Sequence, residues 1–206
     1  MSRHRVHADS FPNSGKLIVG GEEAHHALRT RRLGVGDSLD VLDGRGRVAD
    51  AVLVESTHLG RGRWTMTLDI RDVRELSRPA PTIQLLTGVP KGARLEALID
   101  GASQAGATSW QPLIAHRSVV DPGPGKLERL TRVAVESGKQ CGRPWFLEIQ
   151  EPVCLPEALA TVACFAGHPM RIETAAIVAV GVILDQERRA APTVTQPVSF
   201  AEGNAP

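Results

Sequence analysis

The chain has 206 residues and a formal net charge of +1 at pH 7, so its overall charge does not point to a nucleic-acid partner. Apolar residues make up 42% of the chain and aromatic residues only 3%, which predicts an aliphatic core. The longest apolar run, residues 175–184, has about half the length of a membrane span, so we predict a buried helix or strand and no membrane segment. Cys141, Cys154 and Cys164 form no CxxC pair, and we expect no signal peptide, which together predict reduced thiols in a cytoplasmic protein.

The first 75 residues predict mainly strands. Two alternating stretches flank the loop 43–46, whose glycines permit the positive φ angles of a hairpin. A further stretch, 63–70, alternates so that Trp64, Met66, Leu68 and Ile70 share one face. Residues 22–33, before the hairpin, predict a short helix. Short strands with glycine turns are typical of a small barrel or sandwich, which we assign to residues 1–75.

The segment 74–82 is polar, carries two prolines and marks a predicted domain boundary. Beyond it, strands and helices alternate, which predicts an α/β layer with parallel strands over residues 82–187. The predicted strands are 83–90, 109–115 and 146–153, and the predicted helices are 93–106, 126–142 and 155–163. The first of these strands is continuously apolar, which predicts burial on both faces. Residues 188–206, rich in Pro, Thr and Ala, predict a disordered tail.

Basic residues cluster at the end of the first predicted helix. Arg29, Arg31 and Arg32 are either a solvated helix end or a patch that contacts phosphate, because the arginine fork matches phosphate oxygens. His25 and His26 precede them, but adjacent helical residues point apart and no third ligand is suitably spaced, so we predict no metal site.

Two further cations lie at predicted loops. Lys91 lies in a loop that opens a helix, where it is either a solvated lysine of a turn or a contact for an anion. Arg117 follows the carboxyl end of the second strand, the edge where open α/β sheets bind ligands. Glu136 and Gln140 share a helix face, and Gly106 and Gly142 predict the ends of the helices 93–106 and 126–142. The spacing of these residues alone does not require catalysis.

Four blocks of the sequence carry a resemblance to a known family. They are AHHALRTRRLGVGDSLDVLDGRG (24–46), LLTGVPKGARLEALIDGASQAGATSWQPLIAHRSVV (85–120), RVAVESGKQCGRPWFLEI (132–149) and MRIETAA (170–176). With these four blocks in this order, the chain resembles the RsmE family, whose members methylate N3 of a uridine in 16S ribosomal RNA. The resemblance implies a PUA-like RNA-binding barrel followed by a SPOUT domain, a homodimer, and S-adenosylmethionine as cofactor.

The resemblance also implies roles for individual residues. Arg171 and Glu173 would be catalytic, or Glu173 would only stabilise the start of a helix. The cofactor would lie against Leu86, Gly167, Met170, Arg171 and Thr174. Ribosomal RNA of the small subunit would contact Arg29, Arg31, Arg32, Lys91, Arg117 and Arg143. No metal and no membrane are implied.

One part of the family pattern is missing. The family carries a strand ending in Gly-Pro-Glu-Gly-Gly, a helix and another strand before the last block, whereas this chain has only residues 150–169 there. We therefore predict a SPOUT domain shortened to three or four strands, without a complete trefoil knot. An alternative function follows from the missing glycine-rich loop: a catalytically inactive relative that only binds RNA.

Overall fold

In the computed structural model, the described residues are 3–114 and 122–154, together with Ala176, Val180 and Ile183. They form an antiparallel-rich sheet in the first half and a parallel sheet with two long helices in the second. The fold is mixed α/β, as predicted. The predicted helix 155–163, the tail 188–206 and the question of the knot lie outside the described residues.

The first sheet has five strands in the order β1-β3-β4-β5-β2. Their bounds are β1 (His4–His7), β2 (Gly15–Gly20), β3 (Ser38–Leu42), β4 (Arg47–His58) and β5 (Trp64–Glu75). β3 and β4 pair antiparallel across the loop 43–46, which confirms the predicted hairpin. The order is an open path: within the described residues, the outer strands β1 and β2 do not pair with each other, so the predicted barrel is not closed by hydrogen bonds.

The alternation along β5 has the predicted outcome. Met66, Leu68 and Ile70 are buried, and Trp64 is half-buried at the end of the same row. This row packs with the aliphatic side chains of β3 and β4 into one core, because residues two apart on a strand share a face. Between β2 and β3, α1 (Gly21–His25) continues into a π-helical turn (His26–Thr30) that covers this core with Ala24 and Ala27.

The second sheet contains four parallel strands. These are β6 (Gln84–Thr87), β7 (Ser109–Ile114), β8 (Glu148–Ile149) and β9 (Val153–Cys154). β6 pairs along one edge of β7, and β8 and β9 pair in succession along the other. The predicted third strand is therefore interrupted, at the point where Pro152 has no N–H to donate to a sheet ladder.

Two helices cover one face of this sheet. α2 (Ala93–Ala105) ends at Gly106 with φ 107°, and α3 (Pro124–Cys141) ends at Gly142 with φ 71°, so both predicted glycine caps are confirmed. Buried residues of α2 and α3 meet Leu85 and Trp110 in the second core, which Ala176 and Val180 join. None of the described helices is long and apolar enough to cross a membrane.

The prediction that β6 is buried on both faces was wrong for the described part of the molecule. Leu85 and Thr87 are buried toward the helices, whereas Gln84 is exposed and Leu86 half-buried on the other face. Gln84 instead donates to the side-chain oxygen of Gln111 on β7, at 3.0 Å. The apolar residues of β6 did not predict this exposed face. It begins at the one polar residue of the strand's start, Gln84.

The block CGRPWF forms the joint between the two halves of the chain. The N–H of Gly46 donates to the carbonyl of Pro144 at 2.9 Å, and the N–H of Phe146 donates to the carbonyl of Gly44 at 3.0 Å. The ring of Phe146 packs so closely that a Cβ at Gly44 or at Gly138 would overlap it. Residues 141–146, part of the block 132–149, thus fix the first sheet against α3.

Candidate nucleic-acid interface

The π-helical turn presents the predicted basic residues. The N–H of Arg31 donates to the carbonyl of His26 at 3.0 Å, which closes one wide turn after the regular helix α1. Arg32 then adopts φ 59°, a left-handed conformation that is uncommon for arginine. π turns and left-handed non-glycine residues occur often at functional sites. Local geometry therefore singles out the same stretch as its charge does.

The three arginines of this turn are exposed, and we call Arg29, Arg31 and Arg32 the arginine patch. The guanidinium carbon of Arg29 lies 5.7 Å from the centre of the Trp64 ring, and Nε of Arg31 donates to Nε2 of His26 at 3.4 Å. Within the described residues, no carboxylate lies within ion-pair distance of any of the three. Among the described residues their charge is uncompensated, which suits contact with phosphate.

A cleft of ≈ 500 Å³ adjoins the patch, between the first sheet and α3. Its cations are mostly paired: Arg3 lies 2.8 Å from a carboxylate oxygen of Asp50, and Lys139 donates to Glu23. Arg31 is the cation at the rim that has no carboxylate partner among the described residues. The unpaired positive charge therefore lies on the outer surface rather than inside the cleft.

Asp40 lies in the middle of this charged region. Burial raises the pKa of its carboxyl group above the ordinary value of 3.8, although the nearby Arg3 acts in the opposite direction. It pairs directly across the sheet with Asp50, which adds to the raising effect. The arginines along β1 therefore serve the fold by offsetting these carboxylates.

Arg143 has a structural environment. Its guanidinium donates to the carbonyls of Ser103 and Gly106, the second at 3.4 Å, at the end of α2. Burial lowers its pKa from the ordinary arginine value. Cations favour helix C-termini, where carbonyl groups lack partners, so this contact caps α2. The expectation that Arg143 contacts RNA stays a prediction.

Lys91 and Leu86 lie near the carboxyl edge of the parallel sheet. Lys91 is exposed next to Gly92, the residue that opens α2, and Leu86 is half-buried on β6. Since all four strands are parallel, their carboxyl ends meet at one edge. Arg117 follows β7 in the sequence; it and the predicted residues Gly167, Met170, Arg171, Glu173 and Thr174 lie outside the described residues.

Two family models match this chain in the same order as its two sheets. One, described as an RNA methyltransferase PUA domain, matches residues 19–58, and the other, described as an RNA methyltransferase domain, matches residues 77–168. Ribosomal RNA small subunit methyltransferase E of Synechocystis sp. is 32% identical over 168 residues, which are 76% of this chain and 54% of that protein. Over these residues, the chain is similar to proteins of the RsmE family.

A second protein of the same name is similar over a shorter stretch. That of Mycobacterium bovis is 30% identical over 148 residues, covering 67% of this chain and 54% of its own length. The chain thus spans about half the length of the curated relatives it matches. The crystal structure of the Neisseria gonorrhoeae RsmE bound to S-adenosyl methionine superposes with a TM-score of 0.76 at 15% identity, over 90% of this chain and 98% of that one. This likeness shows the shared fold.

Sequence reasoning missed two features of the RsmE-like surface. One is the buried contact of Lys139 with Glu23, which no local pattern signals. The other is the tip of the β4–β5 hairpin, with Arg61 and Arg63, next to Trp64, whose ring lies under Arg29 of the arginine patch. The letters GRGRW could have signalled it, since arginines beside an aromatic ring are typical of RNA-binding surfaces.

Proposed function

We propose that this chain methylates N3 of a uridine in 16S ribosomal RNA, using S-adenosylmethionine. The observation that carries the proposal is the order of the two family matches, an RNA-binding part followed by a methyltransferase part, in a chain 32% identical to a named RsmE protein. The division into domains at 1–75 and 82–187 is part of the same proposal. Because its proposed substrate is ribosomal, we expect the protein to act in the cytoplasm. The resemblance to the family implies a homodimer.

The described end of the parallel sheet fits the cofactor. Leu86, half-buried at the carboxyl end of β6, offers an apolar surface of the kind that ligand rings contact. The segments after β7 and β9 leave this edge, and the second of them carries Gly167, Met170 and Thr174 in the sequence. When bound, S-adenosylmethionine supplies an electrophilic methyl group.

The chain's own residues would position the uracil and manage its proton. N3 of uracil carries a weakly acidic proton, so a cation that stabilises the developing anion lowers the barrier. We assign this role to Arg171 and assign proton transfer to Glu173, both from their places in the MRIETAA block. The arginine patch, with Lys91 and Arg117, would hold the phosphates of the RNA and thereby orient the base.

A second function is favoured by one observation. The chain has no Gly-Pro-Glu-Gly-Gly sequence, which in the family ends a strand facing the cofactor. Without that loop, the chain would be a catalytically inactive relative that keeps RNA binding. The two functions differ in whether S-adenosylmethionine binds.

Calorimetric titration with S-adenosylmethionine separates them. The enzyme predicts saturable heat, and it predicts transfer of labelled methyl groups to small ribosomal subunits that lack the modification. Arg171→Ala should abolish transfer, whereas Arg132→Ala, an exposed arginine on α3, should retain it. If millimolar S-adenosylmethionine gives neither heat nor a thermal shift, the methyltransferase function is refuted. The inactive RNA-binding relative is then the remaining hypothesis.

A further inference from the structure

The β4–β5 hairpin projects beyond the core of the first sheet. β4 is buried at alternate positions up to Leu53 and exposed from Val54 to His58, and the facing end of β5 begins at the half-buried Trp64. The tip consists of residues 59–63, all of which are exposed except the half-buried Gly60. The side chains of this tip do not belong to the core, so they are available for another role.

The tip holds an arginine in a costly conformation. The N–H of Arg63 donates to the carbonyl of Gly60 at 3.0 Å, and the two central residues of this turn, Arg61 and Gly62, have φ 49° and 73°. Turns with positive φ at both positions favour Asn, Asp or Gly, and another residue there costs roughly 1–2 kcal/mol. The sequence has Arg61 where a glycine would stabilise the turn better, which favours a function for this side chain.

An aromatic pair lies at the base of the tip. His58 and Trp64 are direct partners across the hairpin, with ring centres 4.5 Å apart and planes inclined by 31°. Arg29 of the arginine patch lies over the Trp64 ring, so this pair connects the hairpin to the patch. His58 is exposed, which leaves ring surface open to a ligand.

The charge around the pair is positive. Within the described residues, Arg29, Arg61 and Arg63 have no carboxylate at ion-pair distance. The nearest acid along the hairpin is Glu55, three positions before His58 and therefore on the opposite face of β4. An anion that approaches the aromatic pair meets three cations and no facing carboxylate of the hairpin.

We propose that this hairpin surface, made of His58, Arg61, Arg63 and Trp64, binds single-stranded RNA. An unpaired base stacks against the aromatic pair, and the arginines contact the flanking phosphates. Duplex RNA presents its phosphates but hides the faces of its bases, so stacking selects for single strands. The inference rests on the proposed function in one respect, the assignment of RNA as the substrate class.

Fluorescence anisotropy with a labelled oligouridylate of about twelve nucleotides, within the size range of known single-strand sites, tests the proposal. His58→Ala should weaken binding by roughly 5- to 150-fold, the effect of about 1–3 kcal/mol of stacking, without changing the salt slope. The double variant R61A/R63A should lower the salt slope by about 1.4, near 0.7 per phosphate contact on a single strand. The control R71A/R132A removes two exposed arginines elsewhere and should bind as wild type does.

The outcomes separate this inference from the proposed activity. If His58→Ala and R61A/R63A both bind the oligonucleotide as wild type does, with normal melting curves, the hairpin site is refuted. The hairpin site is also refuted if His58→Ala weakens the binding of duplex and single-stranded RNA equally. It is refuted as well if the control R71A/R132A loses as much affinity as the hairpin variants do. Hairpin-dependent binding by a chain that transfers no methyl group would support the hairpin site and overturn the enzyme.

Discussion

The ammonium group of Lys139 donates to the carboxylate of Glu23, a residue 116 positions earlier in the chain. Lys139 is only 6% exposed, and Glu136, one turn earlier on α3, flanks it on the other side. Glu23 also accepts from the N–H of His7 at 3.1 Å. The two halves of the chain are therefore joined by a buried charge as well as by the joint at 141–146, so the orientation of the first sheet depends on specific polar contacts.

This contact predicts coupled effects on stability. Lys139→Met should lower the free energy of unfolding by about 1–3 kcal/mol, because Glu23 loses a charged donor. Glu23→Gln should cost less, and the double variant should lose less than the sum of the two, since both remove one contact. Urea denaturation measures all three, with Glu22→Gln, an exposed neighbour, as control. Strictly additive losses would contradict direct coupling between these two residues.

The close approach of Phe146 to α3 predicts opposite results for two glycines of one helix. Gly→Ala within a helix normally gains up to about 1 kcal/mol. Gly138→Ala should instead destabilise the protein, because the new methyl group would overlap the Phe146 ring. Gly125→Ala meets nothing within 4 Å and should be neutral or stabilising. Thermal melts compare them, and G138A/F146L should recover part of the loss; equal melting temperatures for the two single variants would exclude the close packing.

Asp40 predicts a pH effect of defined sign. Its pKa is raised in the folded protein, so the folded state holds the proton more tightly than the unfolded state does. Stability should fall as pH rises from the ordinary value of 3.8 through the raised folded value, and remain lowered above it. Asp40→Asn removes this loss and should be more stable than wild type at neutral pH.

The control for that experiment is Asp9→Asn, whose side chain is 94% exposed. Urea denaturation at neutral pH and at about pH 3, below the ordinary pKa of aspartate, gives the comparison. The advantage of Asp40→Asn should shrink at the lower pH, where the wild-type carboxyl is protonated in both states. A constant difference at both pH values would assign the effect to packing.

The arginine patch predicts a change in the salt dependence of RNA binding. Replacing Arg29, Arg31 and Arg32 together by Ala should lower the slope of log affinity against log salt by up to about three, near one per contact. Anisotropy titrations over a range of salt concentrations measure the slope. An unchanged slope would exclude the patch from the interface.

A substitution of Arg143 separates a helix-capping role from the predicted contact with RNA. Arg143→Lys replaces a fork that reaches two carbonyls at the end of α2 by a single point charge, and should cost about 1–2 kcal/mol in unfolding free energy. If the residue only caps the helix, the salt slope for RNA stays unchanged. A slope lower by about one, with normal stability, would instead place Arg143 on the RNA.

Local chemistry determined much of the fold in advance. The glycines of the loop 43–46 and the alternation to Ile70 predicted β3, β4 and β5, because strand faces and tight turns depend on neighbouring residues. Gly106 and Gly142 predicted the ends of α2 and α3 for the same reason. The basic end of the first helix was visible as charge, although the π turn and the left-handed Arg32 were not.

Only the tertiary structure decided how these parts meet. Lys139 and Gly138 belong to a helix whose pattern is explained by its own cap and core face, and nothing within it specifies Glu23 or the loop 43–46 as partners. Arg143 carries the charge of an RNA contact, yet its position at the end of α2 engages it with carbonyls. Such pairings, like the exposed face of β6, depend on which surfaces come together after the two cores form. The sequence by itself determined most of the elements, the buried face of β5 and the charge that each element carries, because these depend on neighbouring residues.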